Sequence, residues 1–492
     1  MTGRRAAARS LVWSALESGG LSGLMLITAI VLARLLGPAE FGIAALALGI
    51  VQLLNLVVEM LFHDAIVQRK QLDEAHLDTA LWTCMGLAVV LVCGCWLAAP
   101  LLADLFDEPT LGSILGWMSL SLLFSSSSGV LLASFRRELR FKPVALRSLC
   151  GRVCGAAIGI TMAFSGFGVW SLVAQNVASS AFAALWVWAS ATRRPKLRYS
   201  FARLDELLRF AIPVFLSQFI LQSKIRLFAV LVGYFLGVTA FGYFNIATKL
   251  IDTLRFILTN AVSHVALVMF SRIQHDRAKL RRGFMEATEM NAVVTVPIFA
   301  GIFVCAPEMV GLILGAQWMP SALLVQILAL GAIGTALRQF TPVVYKALGR
   351  PQLVLVASIG GFVITITGLL LFGRESIVIA TVVSAGQHVF TLPMSLWLLH
   401  RSLGIGFLEQ FRGAGVPLLA AALMVASLFA LKAWLLVGWS DILVLAAIVP
   451  TGAVIYIGTV MLAAPRSGLR LFNFFREGTR KGAAPSVAAD AP

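Results

Sequence analysis

Apolar runs long enough to cross a bilayer occupy almost the whole of this chain, and only short segments separate them. A helix crossing the roughly 30 Å hydrocarbon layer needs about 20 residues. On that measure spans fall at 17–36, 41–62, 80–103, 111–134, 144–165, 167–190 and 208–236. Seven more fall at 241–270, 285–307, 321–343, 352–372, 376–399, 413–431 and 441–463. Of 492 residues only 13% are charged, against about 25% in a soluble domain. Such a chain lacks the polar groups to cover a surface in water, and lipid removes that need. The expected fold is an all-α polytopic membrane protein of about 14 transmembrane helices.

The formal charge of +16 sits in short clusters between the apolar runs. That pattern sets membrane topology and is unlike a nucleic-acid footprint, so no nucleic acid is expected as partner. Alternate loops and both termini together hold 30 of the 39 Lys and Arg residues. The opposite side has Arg34, Arg374 and Lys432, and the remaining six lie within spans. Basic loops stay in the cytoplasm during insertion, which places both termini there. The basic segment Met1–Ser10 leads into a full-length span without a small-residue cleavage site, and reads as the start of the first helix rather than a cleaved signal. No loop is long enough for a folded domain, and no phosphate-binding GxxxxGK[ST] loop is present. The longest, at about 191–207, is basic and expected partly along the membrane.

Shifted by 200 residues, the sequence meets itself without gaps. Leu36-Gly37-Pro38-Ala39-Glu40-Phe41-Gly42 falls on Leu236-Gly237-Val238-Thr239-Ala240-Phe241-Gly242, Ala47 on Ala247 and Leu54 on Leu254. A weaker echo pairs Lys142-Pro143 with Arg350-Pro351. The expectation is two pseudo-symmetric seven-helix halves, the copies being parallel and related by an axis along the membrane normal. The corresponding boundaries are a first half at 1–203, six helices at 204–400, two last helices at 401–465 and a cytoplasmic tail at 466–492.

A charge near the bilayer centre costs several kcal/mol or more unless it snorkels, pairs or faces water. Arg34, Arg152, Glu289 and Glu308 lie close enough to span ends for snorkelling or a packed ion pair to suffice. Glu17 and Glu59 suit either an inner vestibule or local pairing, and Arg338 lies a few residues inside its span. Lys224, Arg226, Lys249, Asp252 and Arg255 are deeper; Lys224 is roughly 20 Å along its helix at about 1.5 Å per residue. Lys249, Asp252 and Arg255 recur every third residue on one face, and the five charges sum to +3. Structural pairing alone would balance to zero, so a hydrated cationic cavity awaiting an anion is expected. Lys224 and Arg226 cannot both point the same way on a regular helix, although Pro213 offers a bend. At the 200-residue offset these five positions hold Leu24, Leu26, Gly49, Gln52 and Asn55, so the charge belongs to the second copy.

Other polar groups have bland readings. The six cysteines lie inside apolar runs and suggest neither a disulfide scaffold nor a metal site. Ser125–Ser128 suits close packing, and Gln175, Asn176, Gln218, Gln222 and Asn245 say little singly. His63, His264 and His388 are read as satisfied interior histidines. Trp82, Trp170, Trp318 and Trp439 are read as interfacial anchors.

Three segments carry a family resemblance. Val31-Leu32-Ala33-Arg34-Leu35-Leu36-Gly37-Pro38-Ala39-Glu40-Phe41-Gly42, Phe135-Arg136-Arg137-Glu138-Leu139-Arg140-Phe141 and Ala240-Phe241-Gly242-Tyr243-Phe244 resemble oligosaccharide flippases of the Wzx/WzxC polysaccharide transporter type. That type belongs to the MOP exporter superfamily, with multidrug exporters and the lipid II flippase. The likeness runs from about residue 10 to 465. It implies no enzymatic reaction and no cofactor, but translocation of an undecaprenyl-pyrophosphate-linked oligosaccharide across a bacterial inner membrane. It implies that Lys224, Arg226, Lys249 and Arg255, with Arg338, hold the anionic headgroup, and that a polymerase and a chain-length regulator are partners. No residue pattern identifies a coupling cation. The alternatives are a lipid II-type flippase, a multidrug exporter, disfavoured by the positive centre, and a noncatalytic assembly factor.

Overall fold

The computed structural model describes residues 23–69, 72–406 and 409–463. Within its helices the side chains at 217–218, 220–221, 223–225, 259–265, 267–268, 351, 388 and 411–412 lie outside the description. So do Met1–Ser10, Glu17, the 466–492 segment, and the side chains of Gln218, Lys224, His264 and His388 singled out above.

The described elements are helices. Twelve stretches are long and apolar enough to cross a membrane. Eleven correspond to expected spans, and the twelfth, Arg226–Leu258, straddles the seventh and eighth. The first expected span is represented by α1, Gly23–Leu35. The next elements are α2 (Pro38–Met60), α3 (His63–Gln68), α4 (Glu74–Leu105), α5 (Pro109–Ser119), α6 (Ser121–Arg137), α7 (Phe141–Phe164) and α8 (Trp170–Ser190). Glu40 caps α2 by accepting the Gly37 N–H at 3.3 Å, and Pro38 sits where no N–H is needed.

α9 (Phe201–Arg272) is 72 residues long but contains a break at Gly237, where φ is 80° and ψ is 166°. Sixteen residues of straight helix span about 24 Å, yet the rings of Phe228 and Phe244 lie 5.6 Å apart. The chain therefore doubles back at Gly237, which admits the positive φ at little cost. This reversal occupies the place in the second copy that the α1–α2 turn occupies in the first.

The two copies touch reciprocally. A Cβ added at Gly42 would lie 1.9 Å from the Val238 carbonyl oxygen, and one added at Gly242 would lie 2.1 Å from that of Pro38. Residues 38 and 238 are themselves equivalent, so this is one self-complementary crossing of α2 with the second arm of α9. Among the described residues, five stretches long and apolar enough to cross a membrane precede α9, with the shorter apolar helix α1 before them.

The chain packs as two units. Among the described residues, the first comprises 23–257, 313–328 and 358–387. In it α7 and α8 approach through Gly151, Gly155 and Gly159, whose faces meet Ser179, Gln175 and Ser171. Small residues at every fourth position let membrane helices reach backbone contact. The start of α9 joins this unit through Leu207 and Ala211, packed with Phe62, Ile66, Leu81 and Val130. The hydroxyls of Ser126, Ser127 and Ser128 bond to carbonyls of their own helix. Trp318, read above as an interfacial anchor, is fully buried: its Nε1 donates to the Ala33 carbonyl at 2.7 Å and its ring packs on Phe41 and Tyr243. Its polar handle is met by a helix-end carbonyl instead of by headgroups.

Among the described residues, the second unit comprises 258–312, 329–357, 388–406 and 409–463. Its core joins α10 (Arg277–Ile313), α11 (Glu409–Trp434) and α12 (Asp441–Ala463). Lys432 pairs with Glu308 at 2.6 Å, the packed alternative foreseen for Glu308. Side chains such as Leu97 (81% exposed) and Leu462 (87%) face outward, as expected of surfaces that lipid covers.

Candidate anion-binding site

The second arm of α9 carries Lys249, Asp252 and Arg255 three residues apart, a spacing that sets them along one face. Arg255 Nη2 donates to Asp252 Oδ1 at 2.8 Å, so these two largely cancel. Lys249 is half-buried, and among the described residues no carboxylate lies within ion-pair distance of it. Its ammonium lies 5.7 Å from the centroid of the Phe41 ring. That contact offers part of the stabilisation a counter-ion would give. Phe41 is held in turn by Trp318 at 5.6 Å. The seat of Lys249 is thus built by the same glycine crossing that brings α2 against α9.

α7 carries Arg147, half-buried, and Arg152, exposed. Arg147 pairs with Glu59 of α2 at 3.3 Å, and Asn55 donates to the same carboxylate at 3.1 Å. Among the described residues Arg152, like Lys249, has no carboxylate in ion-pair distance. Like charges in a medium of reduced dielectric repel strongly, and an anion brought between them relieves that repulsion. Gln52 Oε1, Asn55 Oδ1 and Thr248 Oγ1, on the same two helices as Phe41 and Lys249, are buried without a hydrogen-bond partner. Buried polar atoms of this kind are ordinarily met by water.

Of the other expected residues, Arg226 is half-buried on the first arm of α9, with no carboxylate in ion-pair distance among the described residues. The Phe228–Phe244 register brings it level with the stretch just before Lys249. Lys224 lies on that arm, with its side chain outside the description. Arg338 belongs to the second unit, where Nη1 donates to Thr391 Oγ1 at 2.8 Å. It lines a recess with Thr341, Ser395 and Gln410 that has about 20 Å³ of room, enough for one water.

Sequence reasoning set Arg152 near a span end, where snorkelling or a packed ion pair suffices, and so left it out of the expected site. It also passed over the Glu59–Arg147 bridge as one of two equal readings. Among the described residues no group of three or more His, Cys, Asp or Glu side chains could hold a metal ion.

Residues 31–323 match the model of a family described as polysaccharide biosynthesis protein. The chain belongs to this polysaccharide biosynthesis family. As a member it aligns with the succinoglycan biosynthesis transport protein ExoT of Rhizobium meliloti (strain 1021), at 27% identity over 98% of each chain. It is also similar to the lipopolysaccharide biosynthesis protein WzxC of Escherichia coli (strain K12), 24% identical over 62% of this chain and 63% of that one. Its fold is that of the lipid II flippase MurJ in an inward closed conformation, with a TM-score of 0.76 over 96% of this chain and 100% of the other at 13% identity. The resemblance to WzxC-type transporters is thereby borne out, and this family member is a polytopic membrane protein.

Proposed function

We propose that the protein is a flippase that moves an undecaprenyl-pyrophosphate-linked oligosaccharide from the cytoplasmic to the periplasmic leaflet of a bacterial inner membrane. The observation that carries this reading is Lys249, half-buried against the Phe41 ring with no carboxylate in ion-pair distance among the described residues. Family membership supports a polysaccharide-pathway cargo, the fold supports translocation rather than synthesis, and the printed name of the ExoT relative supports transport.

In this reading Lys249 and Arg152 hold the pyrophosphate, and Arg226 and Lys224 extend the positive field along the first arm of α9. Asp252 orients Arg255, and the bound anion relieves the mutual repulsion of the cations. Gln52 and Asn55 on α2 supply neutral polar groups toward the glycan. The polyprenyl tail remains in lipid while the polar headgroup crosses; no covalent step is involved. Fourteen helices, two pseudo-symmetric copies with two helices after them, and both termini in the cytoplasm complete the proposal. A polymerase and a chain-length regulator are the pathway partners it implies.

The test is a headgroup-accessibility assay on proteoliposomes holding a lipid-linked oligosaccharide. Lys249→Gln and Arg152→Gln should each slow exposure about tenfold or more, as loss of a charge-assisted contact of roughly 1.5–3 kcal/mol predicts. Arg34→Gln should change it less than twofold. Wild-type proteoliposomes that expose the headgroup no faster than empty ones would end the proposal. Equal effects of all three substitutions in folded protein would remove the central site from it.

A further inference from the structure

The connection between α8 and α9 carries Arg193, Arg194, Lys196 and Arg198 within six residues. It is fastened to the first unit along one face of α4. Asp78, fully buried, accepts from Arg193 Nη2 at 2.6 Å and from the Lys196 N–H at 3.2 Å. Trp82 Nε1 donates to the Lys196 carbonyl at 2.9 Å, and Thr79 Oγ1 accepts the Ser200 N–H at 3.2 Å. A buried carboxylate that binds both an arginine and a backbone N–H holds its loop in one shape.

What the loop presents outward is an alternation. Arg194, Lys196 and Arg198 are exposed, and among the described residues none has a carboxylate in ion-pair distance. Between and after them stand Leu197, 87% exposed, Tyr199 and Phe201, 79% exposed. Tyr199 and Phe201 pack edge to face with ring centroids 5.1 Å apart. In water such exposure of leucine and phenylalanine costs free energy. At a membrane surface the apolar groups enter the acyl layer while the cations meet phosphates.

We propose that residues 194–201 form a binding site for anionic phospholipid of the adjoining leaflet. Arg194, Lys196 and Arg198 hold headgroup phosphates, and Leu197 and Phe201 lie between the chains. The site uses none of the residues assigned to the transported headgroup, so it stands or falls separately from the flippase reading.

The full chain, purified and placed in micelles with equal amounts of phosphatidylglycerol and phosphatidylcholine, should retain phosphatidylglycerol preferentially in native mass spectrometry. The combined variant Arg194→Gln, Lys196→Gln, Arg198→Gln should lose that preference, by about fivefold per cation removed. It should still unfold at the wild-type temperature in phosphatidylcholine, which separates lost binding from lost folding. Leu197→Ser with Phe201→Ser, which keeps every charge, should also lower retention. Equal retention of the two lipids by wild type, or an unaltered preference in the triple variant, would overturn the site. Protection by free glycerol phosphate equal to that by phosphatidylglycerol would overturn the assignment to lipid.

Discussion

Glu206 shows how a single side chain closes a corner of the first unit. It receives hydrogen bonds from Arg69 and from His76 Nε2, the latter at 3.2 Å, and pairs with Arg203 at 3.1 Å. The His76 hydrogen bond, then the Arg69 one, with the charge of Arg203 adding, holds its carboxyl below the usual value of 4.5. A carboxyl depressed by folding contributes stability above its unfolded pKa, and that contribution is lost as pH falls through the lower folded value. Thermal unfolding followed from pH 7 downward should therefore show wild type losing stability below about 4.5. Glu206→Gln should unfold at lower temperature at neutral pH and show a flatter decline in that window. Parallel curves for the two proteins would mean that the corner does not depend on this carboxylate. None of this was visible in sequence, where His76 and Glu206 stand 130 positions apart.

At the scale of helices, the decisive element is the crossing of α2 with the second arm of α9. The carbonyls of Val238 and Pro38 occupy the space that side chains would need at Gly42 and Gly242. Gly42→Ala and Gly242→Ala should each lower the unfolding temperature, because backbone cannot yield as a flexible side chain can. Their double variant should cost less than the sum, since both act on one crossing and neighbouring sites do not add. Gly49→Ala is the control, for no atom lies within 4 Å of its added Cβ. Additive losses would mean that the two contacts are independent. The LGPAEFG repeat was legible as a pair of tight turns, but sequence comparison does not report that the two copies would touch each other.

For the whole molecule, the distribution of charge makes a prediction about sidedness. Arg277 lies in a basic connection and Arg374 in one of the few basic positions on the other side, and both are exposed. In intact cells, a membrane-impermeant thiol reagent should modify Arg374→Cys and leave Arg277→Cys at the parent's background. The reverse labelling would invert the proposed direction of transport. In the proposed function the cationic centre and the basic loops serve different ends: the first takes up a mobile anion, while the second sets the side on which each crossing begins.

Helix positions and the membrane environment were legible in hydropathy alone, because in lipid every backbone polar group must be satisfied within its own segment. The likeness of 36–42 to 236–242 was also readable along the chain, since it is a property of order. Which charges keep company was not. Arg147 meeting Glu59, and Trp318 leaving the interface to seat Phe41, depend on the rotation and crossing of helices far apart in sequence. Those are settled by close packing of small residues such as Gly42, Gly155 and Gly242, and packing is a property of three dimensions.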